Sequence, residues 1–274
     1  MSAGVVVDGE RTAPALRRVD RPRGASPIVI AVVVAWLAVV GAGVSGVGVH
    51  FHHDSLIEHG SLPLPLALLL FLVAWQLMIA AMMVPSSLPL LRLFERVSST
   101  QPSPHAARSA FIGGYALVWT IFAAVAFVGD AALHHLVDTT PWLVSRPWLI
   151  SGGLLGVAGI VQFTPLTTNC LRECRHPVAY VMQRYRPGVN EAFRLGRNHG
   201  FYCLGCCWGL MLVMFGAGVA SLAWMAGLTA VMVYEKVGRH GAALAPVTGV
   251  VLLGWALLVI AHPSWLPHTF AGVS

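Results

Sequence analysis

The sequence predicts an all-α fold, a polytopic transmembrane helix bundle with about seven spans, six being the competing count. Three observations carry this prediction. Residues of the AVILMFWYC set make up 57% of the 274-residue chain and Asp, Glu, Lys and Arg only 10%, less than half the roughly 25% charged usage of a soluble domain. The mean hydropathy is +0.73. The apolar residues also fall in separate runs, with the charges gathered between them.

The elements follow in chain order. Residues 1–27 carry Arg11, Arg17, Arg18, Arg21 and Arg23 among Pro and Gly with little periodicity, and read as a disordered basic leader. Residues 28–49 are an uncharged apolar run of 22 residues, enough to cross a ~30 Å hydrocarbon core. A cleaved signal peptide is the alternative, but its apolar region is usually only about 7–15 residues long. Further spans are expected at 63–84, 111–129, 148–164, 201–218, 222–234 and 244–261, so that 28–262 forms the membrane domain and 263–274 a short tail. The stretch 201–234 is either one long helix or two short ones joined around Gly216, Gly218 and Ser221. With seven spans and a cytoplasmic N-terminus, 16 of the 17 Lys and Arg lie inside; with six, 14 do. The positive-inside rule favours seven.

The longest inner loop is expected at 170–200, with six Arg against Glu173 and Glu191. Its expected work is topology and contact with anionic headgroups, so the +6 net charge points to the lipid bilayer and not to nucleic acid. There is no Walker A loop, dinucleotide fingerprint, H-E-x-x-H or G-x-S-x-G motif. The chain therefore reads as a binding protein more than as an enzyme. Gly152-x3-Gly156, Gly196-x3-Gly200 and Gly205-x3-Gly209 suit close helix packing. Gln76 and Gln162 are the notable polar residues within spans, and interhelical hydrogen bonding is the expectation for Gln162.

All five cysteines fall in two places. Cys170 and Cys174 sit at i and i+4, on one face if helical; Cys203 lies three and four residues before Cys206 and Cys207, so these three can also share a face. Both groups belong at the inner boundary, where a reducing cytoplasm keeps thiols free or metal-bound. Met78, Met82 and Met83 lie near the inner end of the second span, and Met211 and Met214 continue the line of Cys207. Thiolate and thioether are soft ligands that select Cu(I). Zn(II) on the cysteines, with His176 or His199 as nitrogen ligands, is the alternative. Apolar filling by Cys and Met is the bland explanation, and palmitoylation of boundary cysteines is a further one.

The motifs AMMVPS (81–86), Q-x2-TP…C-L-x2-C-R-x-P (162–177), G-x3-G-x2-C-x-G-C-C-W-x2-M (196–211), Trp224-Met225 and Glu235-Lys236 follow in this order. Over roughly 63–255 they resemble a bacterial family of predicted metal-binding integral membrane proteins, domain of unknown function 2182. Some members of that family are labelled copper chaperones. The resemblance implies a multi-pass protein of the bacterial inner membrane, with Met82, Met83, Cys170, Cys174, Cys203, Cys206 and Cys207 in the family core. It names no metal, and the first span and its outer loop lie outside it.

The expected outer side is rich in histidine. His50, His52, His53 and His59 share a loop with Asp54 and Glu58 and no Lys or Arg; His134 and His135 lie between Asp130 and Asp138. Imidazole and carboxylate without competing cations could gather Cu(II) or Zn(II); avoidance of Lys and Arg on that side is the simpler account. The expected function is Cu(I) binding at the inner Cys/Met cluster, for handling or delivery to or from a partner protein. A zinc staple within a larger membrane complex is the second reading, and a thiol oxidoreductase using Cys203, Cys206 or Cys207 with Arg197 and His199 nearby is the third.

Overall fold

The computed structural model describes residues 27–45, 63–217 and 221–262. These form ten α-helices and no strand: α1 (Pro27–Val44), α2 (Leu64–Ser98), α3 (Pro104–Asp138), α4 (Pro141–Val144), α5 (Pro147–Val161), α6 (Pro165–Arg175), α7 (Pro177–Arg184), α8 (Val189–Ala217), α9 (Leu222–Val237) and α10 (Gly241–Ala261). Six of them start on proline, whose fixed φ suits the first helical position and whose missing N–H costs nothing there. The expected basic leader, the loop holding His50, His52, His53 and His59, and the tail lie outside the described residues.

Among the described residues, α1, α2, α3 and α10 are long and apolar enough to cross a bilayer, and α5 with α6 makes a fifth if that pair, bent by 61°, is one span. The chain thus has the helices of a multi-pass membrane protein, with four or five candidate spans among the described residues against the seven expected. Two of the expected spans are short. Helix α5 has 15 residues and α9 has 16, about 22–24 Å of rise each, less than a ~30 Å core. The undecided stretch between 201 and 234 is two helices, α8 and α9.

The expected loop at 170–200 is mostly helical. Prolines partition it: α6 starts at Pro165, and α7 starts at Pro177 after His176, whose φ −115 and ψ 63 lie outside the α region that a following proline disfavours. Helix α6 is amphipathic and buries Thr167, Cys170, Leu171 and Cys174, a run at helical spacing. Ion pairs tie this region together, Arg184 to Glu173 at 2.9 Å and Arg194 to Glu191 at 3.0 Å. We call this the arginine-rich end of the bundle.

The tightest packing is between α3 and α8. A Cβ on Gly196 would meet the Phe111 carbonyl, and one on Gly114 would meet the Phe193 carbonyl, so the two backbones touch through paired glycines as small-residue packing predicts. Gly200 continues that contact against Val118 and Tyr115, whereas Gly156 faces open space, and Gly159 instead carries the α5–α10 approach with Gly249. Gln76 bridges α2 and α3, donating to Ala116 O at 3.1 Å and to Thr120 Oγ1 at 2.7 Å. Gln162 is buried, with its side-chain oxygen unpartnered, so the expected interhelical bond is made by Gln76 and not by that oxygen. Helix α1 is fastened by proline chemistry. Pro85 inside α2 has no N–H for the Ala81 carbonyl, and the Trp36 indole of α1 donates to that oxygen at 2.9 Å.

Two cores result. One, at the arginine-rich end, joins Leu90, Phe94, Phe111, Tyr180 and Leu195; the larger one runs along the bundle and contains all five cysteines and seven methionines.

Candidate metal centre

The centre is built on α8. Cys203, Cys206 and Cys207 occupy one face of a helical turn, Met211 and Met214 extend it, and all five are 0–3% exposed. The five cysteines of the chain are thiols. Gly205 lies beside them, and a Cβ there would stand 2.5 Å from Cys170 Sγ. The missing side chain therefore lets α6 bring Cys170 against α8. Cys174, one turn further along α6, has its thiol in range of Cys206. Across the bundle, α2 supplies Met82 and Met83, both fully buried. Cys207 Sγ lies 3.6 Å from Met83 Sδ, and the Cys206 and Cys207 thiols donate to the Cys203 carbonyl at 3.1 and 2.7 Å.

The surroundings of Cys203 are polar and ordered. Lys236 Nζ, at the end of α9, donates to Cys203 Sγ at 3.1 Å and to Ser86 Oγ at 3.0 Å. The Tyr115 hydroxyl lies 3.2 Å from the same sulfur. Ser86 donates in turn to Met83 O at 2.8 Å, so one hydroxyl links the ammonium to the backbone of a thioether residue. Lys236 is only 5% exposed. A buried ammonium is tolerable only when hydrogen-bonded and charge-compensated, and the groups set around this one are a thiol and a hydroxyl. Glu235, the neighbour, turns the other way and accepts from Thr248 of α10 at 3.2 Å. Arg175 of α6 donates to the Glu235 carbonyl at 2.5 Å and fixes the end of α9.

The nitrogen candidates lie apart from the sulfurs or beside them. His199, one turn before Cys203, is buried with Nε2 3.2 Å from Ser87 Oγ, while its Nδ1 has no partner. An apolar cavity of about 370 Å³ between α1, α2 and α3 reaches His199 and Tyr115, bringing open space to within one residue of Cys203. His176 sits at the α6–α7 corner, and Arg197 is exposed. His134 Nδ1 lies 3.0 Å from the Asp130 carbonyl and 3.6 Å from its carboxylate, and His135 is exposed. Both are about 28–30 Å along α3 from Tyr115, at about 1.5 Å per residue. Among the described residues, no three His, Cys, Asp or Glu side chains converge as a ready set of metal ligands. The arrangement offers instead thiols with a thioether, a donor set suited to a soft monovalent ion.

Sequence reasoning missed Lys236, Ser86, Tyr115, Met225 and Met232. Composition alone places Lys236 among the boundary charges that set topology. Its signal was present in the Glu235-Lys236 pair and Ser86 in the AMMVPS run, but nothing local says that a lysine at a helix end turns inward. Met232 and Met225 are on the buried face of α9, four and eleven residues from Lys236 at helical spacing.

No curated protein and no solved structure matches the chain significantly. The family model PpoB2, described as copper chaperone, matches residues 72–259. That stretch is well over half of the chain and holds every cysteine and eight of the nine methionines, while α1 and the expected histidine loop lie before it. The match agrees with the motifs' resemblance to a family with members so labelled, and the chain belongs to the copper chaperone family.

Proposed function

We propose that this protein binds Cu(I) as cargo in the membrane, at the arginine-rich end of the bundle, and passes it to a partner. The observation that carries this reading is the approach of Cys207 Sγ to Met83 Sδ at 3.6 Å, beside Cys203 with its buried ammonium. Cys203 and Cys207 would supply thiolates, Met83 a neutral thioether, and Cys206, Cys170, Cys174, Met82 and Met211 the surrounding sulfur. Charge balance supports the choice. Two thiolates and one Cu(I) leave a single negative charge, and Lys236 supplies the matching positive one inside a region where unpaired charge is costly. Thiol protons leave as the metal enters, as for any thiolate site.

The positive-inside distribution supports placing this end on the cytoplasmic face of a bacterial inner membrane, with His134 and His135 at the other face as a place where metal first gathers. Metal per protein after detergent purification tests the proposal. Wild type is expected to retain copper in preference to zinc and iron. The variant with Cys203, Cys206 and Cys207 all changed to Ser is expected to retain none; undiminished copper there removes the sulfur site from the account.

A further inference from the structure

The distribution of methionine asks for an explanation that apolarity does not supply. Of the eight methionines in the described residues, Met78, Met82, Met83, Met211, Met214, Met225 and Met232 belong to one core and are 0–4% exposed, while Met182 of α7 is 81% exposed. Leucine behaves differently. Leu155, Leu210 and Leu252 are buried, but Leu69, Leu117 and Leu257 point outward. Both side chains are welcome in lipid, so a purely apolar role would scatter methionine over both faces as it scatters leucine. On α9 the buried face reads Met225, Thr229, Met232, Lys236, at i, i+4, i+7 and i+11 of a single stripe.

The chain direction places these thioethers at successive depths. Lys236 and Cys203 touch at 3.1 Å, and α8 leaves that point as α9 arrives at it. Met232 is four residues from Lys236 and Cys207 four from Cys203, each about 6 Å from the contact at 1.5 Å per residue. Met83 joins that level through its contact with Cys207 at 3.6 Å. Met211 then stands at about 12 Å and Met78 at about 13 Å, and Met214 and Met225 both at about 16 Å, near the middle of a ~30 Å hydrocarbon core. Successive sulfur levels are separated by about 6 Å or less on this scale. Trp119, fully buried with its indole N–H unpartnered, lies one turn beyond Tyr115 in the same core.

We infer that Met225, Met214, Met78, Met211 and Met232 form a thioether path that carries a soft monovalent cation between the bilayer midplane and the cysteine site, so that the protein conducts Cu(I) as well as holding it. This rests on the Cu(I) reading above. Neutral sulfur suits transit: each thioether is a weak, uncharged ligand that can be exchanged for the next without a proton or an electron moving, and the thiols form the tight terminus.

The test uses the full chain reconstituted in liposomes, with Ag(I) as the probe under a concentration gradient, and three variants: Met214→Leu/Met225→Leu, Cys203→Ser/Cys207→Ser, and Met182→Leu as control. Leucine conserves volume, and thermal unfolding confirms that each variant is folded; should the double-methionine variant unfold, Met225→Leu alone replaces it. Wild type and the control are expected to bind more than one Ag(I) and to move it. The methionine variant is expected to keep the cysteine-bound equivalent, lose the additional Ag(I), and move it at least tenfold more slowly. Wild-type behaviour of the methionine variant, or a wild type that moves no Ag(I), overturns the path and leaves the cysteine site standing. Full binding by the cysteine variant overturns the cysteine site instead, and loss in the methionine variant would then show the path acting alone.

Discussion

Removing the Lys236 ammonium separates a metal site from an ordinary buried core. In Lys236→Leu the Cys203 sulfur loses a donor at 3.1 Å and Ser86 loses one at 3.0 Å, while Ser86 keeps its own bond to Met83 O at 2.8 Å. The metal-free protein should be as stable as wild type or more so, because replacing a buried charge by a well-packed apolar group is often neutral or favourable. The metal-bound protein should suffer. A hydrogen bond to a charged group contributes about 1.5–3 kcal/mol, and every 1.4 kcal/mol is about tenfold in affinity. Cu(I) should therefore bind about 10- to 100-fold more weakly, and Lys236→Arg, which keeps the charge, should recover part of the loss. The assay is anaerobic competition against a chromophoric Cu(I) chelator, with thermal unfolding of the metal-free protein alongside. A Lys236→Leu protein that binds Cu(I) within threefold of wild type would refute the charge-balance reasoning.

Gly196→Ala drives a methyl group into the Phe111 carbonyl, and backbone cannot yield as a side-chain tip can; overpacking of this kind costs about 1–3 kcal/mol. The melting temperature should fall, and Cu(I) affinity should fall with it, because the same helices hold Tyr115 3.2 Å from Cys203. Trp36→Phe keeps an aromatic side chain, though a smaller one, and deletes the donor to Ala81 O. Its expected cost is about 1–3 kcal/mol for a buried carbonyl left unsatisfied, read as a lower melting temperature with Cu(I) affinity unchanged.

How far the sequence disclosed this molecule depends on the range of each signal. Apolar runs and proline positions are local, so most helices stand where periodicity and composition placed them. The two cysteine motifs were equally legible, because their spacing puts the thiols on single helical faces. Span number was less so: α5 and α9 are apolar enough but short, and composition alone does not show where Pro165 bends the chain. Lys236 shows the deeper limit. A lysine at the end of an apolar helix has the same sequence signature whether it faces headgroups or turns inward, and only the approach of Ser86 from α2 and Cys203 from α8 distinguishes them. The contact between Met83 and Cys207 spans 124 positions and has no local signature. Met232 lacked one too, and Met225 stood in the Trp224-Met225 motif without a role, since a methionine stripe acquires meaning only beside the sulfur of two other helices.

X-ray absorption at the copper edge, on wild type loaded with one equivalent of Cu(I) and on Cys207→Ser and Met83→Leu, tests the central claim most directly. Wild type is expected to show a first shell made only of sulfur, reduced by one sulfur in each variant. A wild-type shell of nitrogen or oxygen, or variants whose shells match wild type, would contradict it.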